Sequence, residues 1–186
     1  IKNKNINQNV KLAKFLVDDY LSNSELEKAC NFFSKINEEI NDDYLFKFYV
    51  YCLINSQKTV EAQLQYDLKT ESGWSDNLFN KRFNNLMGYE SKVDNNISER
   101  SILDFHLAHR TIKDFNFEPK KSTSLKIWRY LSTSDLLKNF NNVDLEDQNK
   151  IAIIEKVTHE GNYPENELYE LYKRFSFDIN QFLNIK

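Results

Sequence analysis

The sequence predicts an all-α fold built of antiparallel helical pairs, on three observations. The 186 residues include only three Gly and two Pro, while 40 % are apolar and 14 % aromatic, enough to close a core with little to interrupt helix. Apolar residues recur at three- and four-residue spacing along most of the chain, which is the period of one helix face. Between Asp18 and Leu68 one hairpin pattern is written twice: Tyr20 is followed by Ala29 and Phe33, and Leu53 by Ala62 and Tyr66 at the same spacings.

Taken in order, residues 1–9 are rich in Asn and Lys and read as a linker or a frayed edge. A helix from Val10 to Leu21 follows, with Leu12, Phe15, Leu16 and Tyr20 at helical spacing. Ser24-Glu25-Leu26-Glu27 has the form of a capping box and predicts a second helix to about Ile36. Asn41 or Asp42 caps the next, Tyr44 to Ile54, whose stripe of Leu45, Phe48, Tyr49, Cys52 and Leu53 predicts a central position. Val60, Ala62, Leu64, Tyr66 and Leu68 alternate with polar residues, a strand signal. Good helix formers at the intervening positions and the want of a strand partner favour helix, with both apolar sets packed between neighbours.

Ser75 or Asp76 starts a helix that Gly88 ends. Residues 89–96 form a polar connection, which divides the chain into hairpins over 10–95 and a further helical region over 96–186. Asn96 with Glu99 opens a helix to Ile112, and Phe115 to Pro119 is extended because a residue before proline avoids the helical region. Ser122 or Thr123 restarts helix through Leu125, Trp128 and Leu131, and Ser134 precedes a short turn through Leu136, Leu137 and Phe140. Asp144 opens a helix through Ile151, Ile154 and Val157, and Gly161-Asn162-Tyr163-Pro164 turns into another through Leu168, Leu171 and Tyr172. Ile179, Phe182 and Leu183 suggest a final short helix.

The two alanines lie 33 residues apart, close to the roughly 34-residue period of tetratricopeptide (TPR) repeats, in which a small residue lets the second helix approach the first. Residues 18–68 therefore resemble TPR hairpins, although the family's Trp, Leu-Gly pair and closing Pro are absent. The resemblance implies an α-solenoid, less regular in its second half, that holds a protein or peptide and performs no chemistry of its own. The expected function is a non-catalytic interaction or scaffold segment of a larger protein. Lys14, Lys47 and Tyr51, polar positions on the first helix of each pair, are the expected lining of a groove.

Glu71-Ser72-Gly73-Trp74 is similar to the Glu-Ser-Gly of goose-type lysozymes and lytic transglycosylases, where the glutamate protonates a glycosidic oxygen. Of the remaining motif only the fragment Leu86-Met87-Gly88 is present, so the simpler reading puts Glu71 in the last turn of a helix that Gly73 terminates. The alternatives to a scaffold are accordingly a helical arm of such an enzyme, or a structural spacer. His106 and His109 stand three apart beside Asp104 and Asp114, a spacing that brings two imidazoles toward one ion but leaves a third ligand to be found. Cys30 and Cys52 fall on apolar helix faces without metal spacing and are expected as buried reduced thiols; a disulfide requires facing helices and an oxidising compartment. No Gly-rich phosphate loop is present and no cofactor is expected.

The net charge of -3 and pI near 5.7 give no general attraction to nucleic acid. Charge is uneven, however. Arg110, Lys113, Lys120, Lys121, Lys126 and Arg129 face only Asp114 and Glu118, whereas the stretch from Asp144 to Glu170 is strongly acidic. Phe115, Phe117, Trp128 and Tyr130 beside the basic stretch suit a nucleic-acid stacking platform, but Trp128 spaced with Leu125 and Leu131 is first a core residue. No run of 18 apolar residues encodes a membrane span. The chain opens on Ile1 with Met87 its only methionine, as expected of a segment of a longer protein.

Overall fold

The structure, a computed structural model, describes residues 2–35, 42–137 and 143–175. Among the described residues every regular element is a helix: α1 (Lys2–Ser22), α2 (Leu26–Phe33), α3 (Asp43–Asn55), α4 (Thr59–Glu71), α5 (Asn77–Leu86), α6 (Ile102–Thr111), α7 (Leu125–Thr133), α8 (Gln148–His159) and α9 (Glu165–Lys173). The chain forms two compact units, Ile1–Phe117 and Glu118–Lys186. The first therefore contains α6, which the sequence assigns to the region after Asn96. The final helix expected around Ile179, Phe182 and Leu183 lies outside the described residues, as does Phe140 of the turn after Ser134.

In the first unit α1 pairs with α2 and α3 with α4, and α3 packs on both members of the first pair. The two hairpins correspond position by position at an offset of 33 residues. Ala29 and Ala62 are completely buried, as are Val17 and Val50. Each first helix ends in the same Schellman turn: Glu25 N donates to Tyr20 O and Lys58 N to Leu53 O, both at 2.9 Å, around Ser24 (φ 59°) and Gln57 (φ 61°).

That turn replaces the expected capping box. Ser24 is the left-handed residue that closes α1, and Glu25 becomes the N-cap of α2 with no side-chain capping bond. Where an N-cap side chain does bond, it is an acid or a serine: Asp42 accepts from the Tyr44 and Leu45 amides, Asp76 from Phe79, Ser101 from Asp104, Ser124 from Ile127 and Asp147 from Lys150.

Four boundaries shift from expectation, the simplest being α7, which Ser124 caps rather than Ser122 or Thr123. Helix α1 begins at Lys2, so residues expected as a linker propagate the helix N-terminally, with no Gly or Pro to stop it. Helix α6 begins after Ser101 because the chain before it is held by Arg82, whose guanidinium donates to the carbonyls of Asp94 and Asn96, both at 2.6 Å, and to Thr111 Oγ1 at 2.8 Å. Helix α8 begins after Asp147 rather than at Asp144.

The cysteines also depart from expectation. Cys30 of α2 and Cys52 of α3 form a disulfide with Cα atoms 5.5 Å apart, instead of two reduced thiols. The second hairpin's stacking on the first brings these two helices face to face, a proximity invisible in linear spacing.

Helix α6 is the most completely buried, with Ile102, Leu103, Phe105, Leu107 and Ala108 in the core, and it packs on α5 and back on α1. Phe115 and Phe117 close edge-on over Phe105, with centroids 5.5 and 4.9 Å away. In the second unit α8 and α9 form a hairpin around Gly161 (φ 70°), where Asn162 N donates to Val157 O at 2.8 Å. Trp128, Tyr130 and Leu131 of α7 are buried. The aromatics flanking the basic stretch are thus structural in both units.

Two stability predictions follow from these turns and the crosslink. Replacing Gln57 by Gly relieves the left-handed strain of a side-chain-bearing residue and should raise stability by roughly 0.5–1 kcal/mol in urea unfolding. Removing the disulfide, which spans 22 residues, by the double change Cys30→Ala and Cys52→Ala should cost about 3 kcal/mol in oxidising buffer. Reductant should lower the parent protein's unfolding midpoint and leave the double variant's unchanged.

Candidate interaction surface

The positions expected to line a groove are covered by the chain itself. Lys47 and Tyr51 of α3 are buried rather than exposed. Lys47 Nζ lies 3.1 Å from Asp76 Oδ2 and 3.3 Å from Asp104 Oδ1, and Arg100 closes the ring at 2.9 Å to Asp76 and 2.8 Å to Asp104. Two cations and two anions alternate, so each charge entering the low-dielectric region meets two of opposite sign. The Asp76 carboxyl is held below the usual range: burial alone would raise it, but the Phe79 amide, Lys47 and Arg100 together outweigh that.

Tyr51 Oη shares a hydrogen bond of 3.0 Å with His106 Nε2, and the rings meet edge to face. Burial, reinforced by Arg110 and His109, pushes the His106 imidazole down to about 3. His109 is half-buried against Phe115, its pKa lowered by burial and then by Arg110. The two histidines therefore serve different neighbours. Among the described residues no group of three or more His, Cys, Asp or Glu side chains is placed to hold a metal ion. Lys14 stays part-exposed and pairs with Asp42 at 2.6 Å, linking α1 to the start of α3.

Glu71 is exposed at the end of α4, Gly73 (φ 88°) terminates that helix, and Trp74 packs edge-on against Phe46 and Phe79.

What the fold leaves open lies on α4. At 100° per residue the alternating pattern separates into two opposed faces: Ala62 and Tyr66 turn inward, with Tyr66 stacked on Phe83 at 4.0 Å, while Val60, Leu64 and Leu68 turn outward. Instead of being packed between neighbours, these three remain 85 %, 55 % and 54 % exposed. Asp67 and Glu71 fall on the same face and Glu61 along its edge, all exposed. Tyr89, also exposed, donates its hydroxyl to Gln63 Oε1 of α4 at 2.8 Å. The surface is an apolar stripe with three carboxylates interleaved.

A second exposed apolar pair, Leu12 and Phe15 on α1, has an informative counterpart. The residues 33 positions later, Leu45 and Phe48, are buried, and Phe48 meets Phe33 of the first hairpin edge-on at 5.5 Å. Phe15 thus stands on α1 where Phe48 stands on α3, but it is exposed, as is Leu12.

The apolar periodicity of α4 is legible in its residues, but which of its faces is left uncovered is not. The ion-pair roles of Asp76, Arg100 and Asp104 are not legible in the sequence because their partner Lys47 is remote in the chain. Comparison with protein-family models, with curated proteins and with solved structures returned no match.

The buried imidazole gives a pH prediction. Below pH 6.5 the unfolded chain takes up a proton on His106 that the folded protein refuses until about pH 3. Its contribution is therefore complete above pH 6.5 and is lost on acidification, by up to about 1.4 kcal/mol per pH unit. Urea unfolding between about pH 7 and pH 5 should show this slope, and His106→Gln should flatten it while His109→Gln has the smaller effect.

Proposed function

We propose that this chain is a non-catalytic interaction segment with TPR-like hairpins, and that it docks a basic amphipathic helix along the outer face of α4. The observation that carries the reading is the exposed stripe of Val60, Leu64 and Leu68 interleaved with Glu61, Asp67 and Glu71. Three apolar side chains at i, i+4 and i+8 offer a ridge on which the apolar face of a second helix packs, and the carboxylates select Lys or Arg at its margins. Glu71 acts in this reading as a charge at the margin, not as an acid catalyst.

Two observations support the repeat reading. The hairpins match at an offset of 33 residues in their buried alanines and left-handed turn residues. The exposed Phe15 also stands on α1 where Phe48, which meets Phe33, stands on α3. The Cys30–Cys52 bond suits a compartment that maintains disulfides. In this arrangement the face of α3 that TPR proteins leave for a ligand is used internally, and recognition moves to the outer helix.

The test uses two synthetic helices of about 18 residues, one of Leu and Lys and one of Leu and Glu in the same amphipathic pattern. The Leu/Lys helix should bind by calorimetry, more weakly as salt rises, with NMR shifts confined to α4 and Tyr89. Leu64→Glu with Leu68→Glu, exposed positions that leave the core intact, should weaken binding by about tenfold or more. Equal affinity for the Leu/Glu helix, or for the double variant, would refute the reading.

A further inference from the structure

The second unit carries an independent feature, a cleft of about 500 Å³ between the start of α7 and the outer side of α8. Its walls are Leu125 and the buried Trp128 from α7, with Ile153 and Val157 from α8. Its charged lining comes from Lys121, in the turn before α7, and Lys156, on α8. The choice of sign is informative because α8 and α9 lie in the most acidic stretch of the chain, yet none of the described residues lining the cleft is acidic. Glu160, which pairs with Lys156 at 4.0 Å, stands outside the lining. Such a pair adds little and leaves the ammonium available to a better acceptor.

We propose that this cleft binds a small monocarboxylate with an apolar tail, the tail lying along Leu125, Trp128, Ile153 and Val157 and the carboxylate meeting Lys121 and Lys156. The volume falls in the range of small-molecule sites, which combine apolar walls with a few charged groups that fix orientation, and suits a tail of about ten carbons. The two lysines supply charge-assisted hydrogen bonds to the head group, whose energy rises as the tail excludes water from the cleft. A neutral amphiphile gains only the tail contacts, and a cationic one is repelled.

Trp128 reports on occupancy directly. The chain has two tryptophans, and Trp74→Phe in the first unit leaves Trp128 as the single emitter. The probe is 11-bromoundecanoate, whose heavy atom quenches indole fluorescence, titrated below its micelle concentration into the Trp74→Phe protein. Saturable quenching is expected, with 11-bromoundecanol binding about tenfold more weakly. Lys121→Gln with Lys156→Gln should bring the carboxylate's affinity down to that of the alcohol, and Lys156→Gln alone should fall between. Far-UV circular dichroism checks that each variant retains its helices. Absence of saturable quenching, equal affinity of acid and alcohol, or unchanged affinity in the lysine variants would each overturn the proposal.

Discussion

The arrangement of the first unit depends on one electrostatic constraint, the alternating ring of Lys47, Asp76, Asp104 and Arg100. Each acid does two things. Asp76 caps α5 through the Phe79 amide, and Asp104 lies in the first turn of α6, where negative charge is favoured by the helix dipole. Lys47 comes from the middle of α3, so its ammonium is satisfied only when the starts of α5 and α6 are both beside it. Removing either acid would leave the buried Lys47 ammonium with one counter-charge in place of two and so weaken the tie between α3 and one of the other two helices. The ring thereby ties three helices into one geometry, and Arg82 holds the connection between α5 and α6 with bonds to Asp94, Asn96 and Thr111.

That geometry has a functional consequence. With α6 drawn against α1 and its side chains reaching Lys47 and Tyr51 of α3, these polar groups of α3 are engaged in the interior. The remaining apolar surface is α4's outward stripe, and at the other edge Leu12 and Phe15. Both lie on helices of the two hairpins, α4 and α1, whose opposite faces are buried. Recognition by an outer helix face and ligand binding in the cleft of the second unit are separate propositions, resting on separate units and on opposite signs of charge.

Much of the local structure was legible from the residues. The helical character of every described element, the capping roles of Asp42 and Asp76, and the terminating roles of Gly73, Gly88 and Gly161 are decided within a few residues, and short-range chemistry is enough to read them. The 33-residue correspondence was visible through its alanines. Ser24 departs from expectation for a local reason and Asn96 for a tertiary one. Ser24 has the right type for an N-cap but is needed to close the preceding helix, and Asn96 has capping chemistry but surrenders its carbonyl to a guanidinium fourteen residues away.

By itself, then, the sequence determined that this protein is helical, where most helices start and stop, and which two apolar faces α4 possesses. Only the tertiary structure decided which of those faces is covered, that Cys30 meets Cys52, and that α6 closes over Lys47 and Tyr51. The division has a physical cause. Helix periodicity and capping are set by neighbours within one turn, whereas burial, crosslinking and charge pairing depend on elements distant in the chain, and the charges of the ring acquire their roles only when α3, α5 and α6 come together.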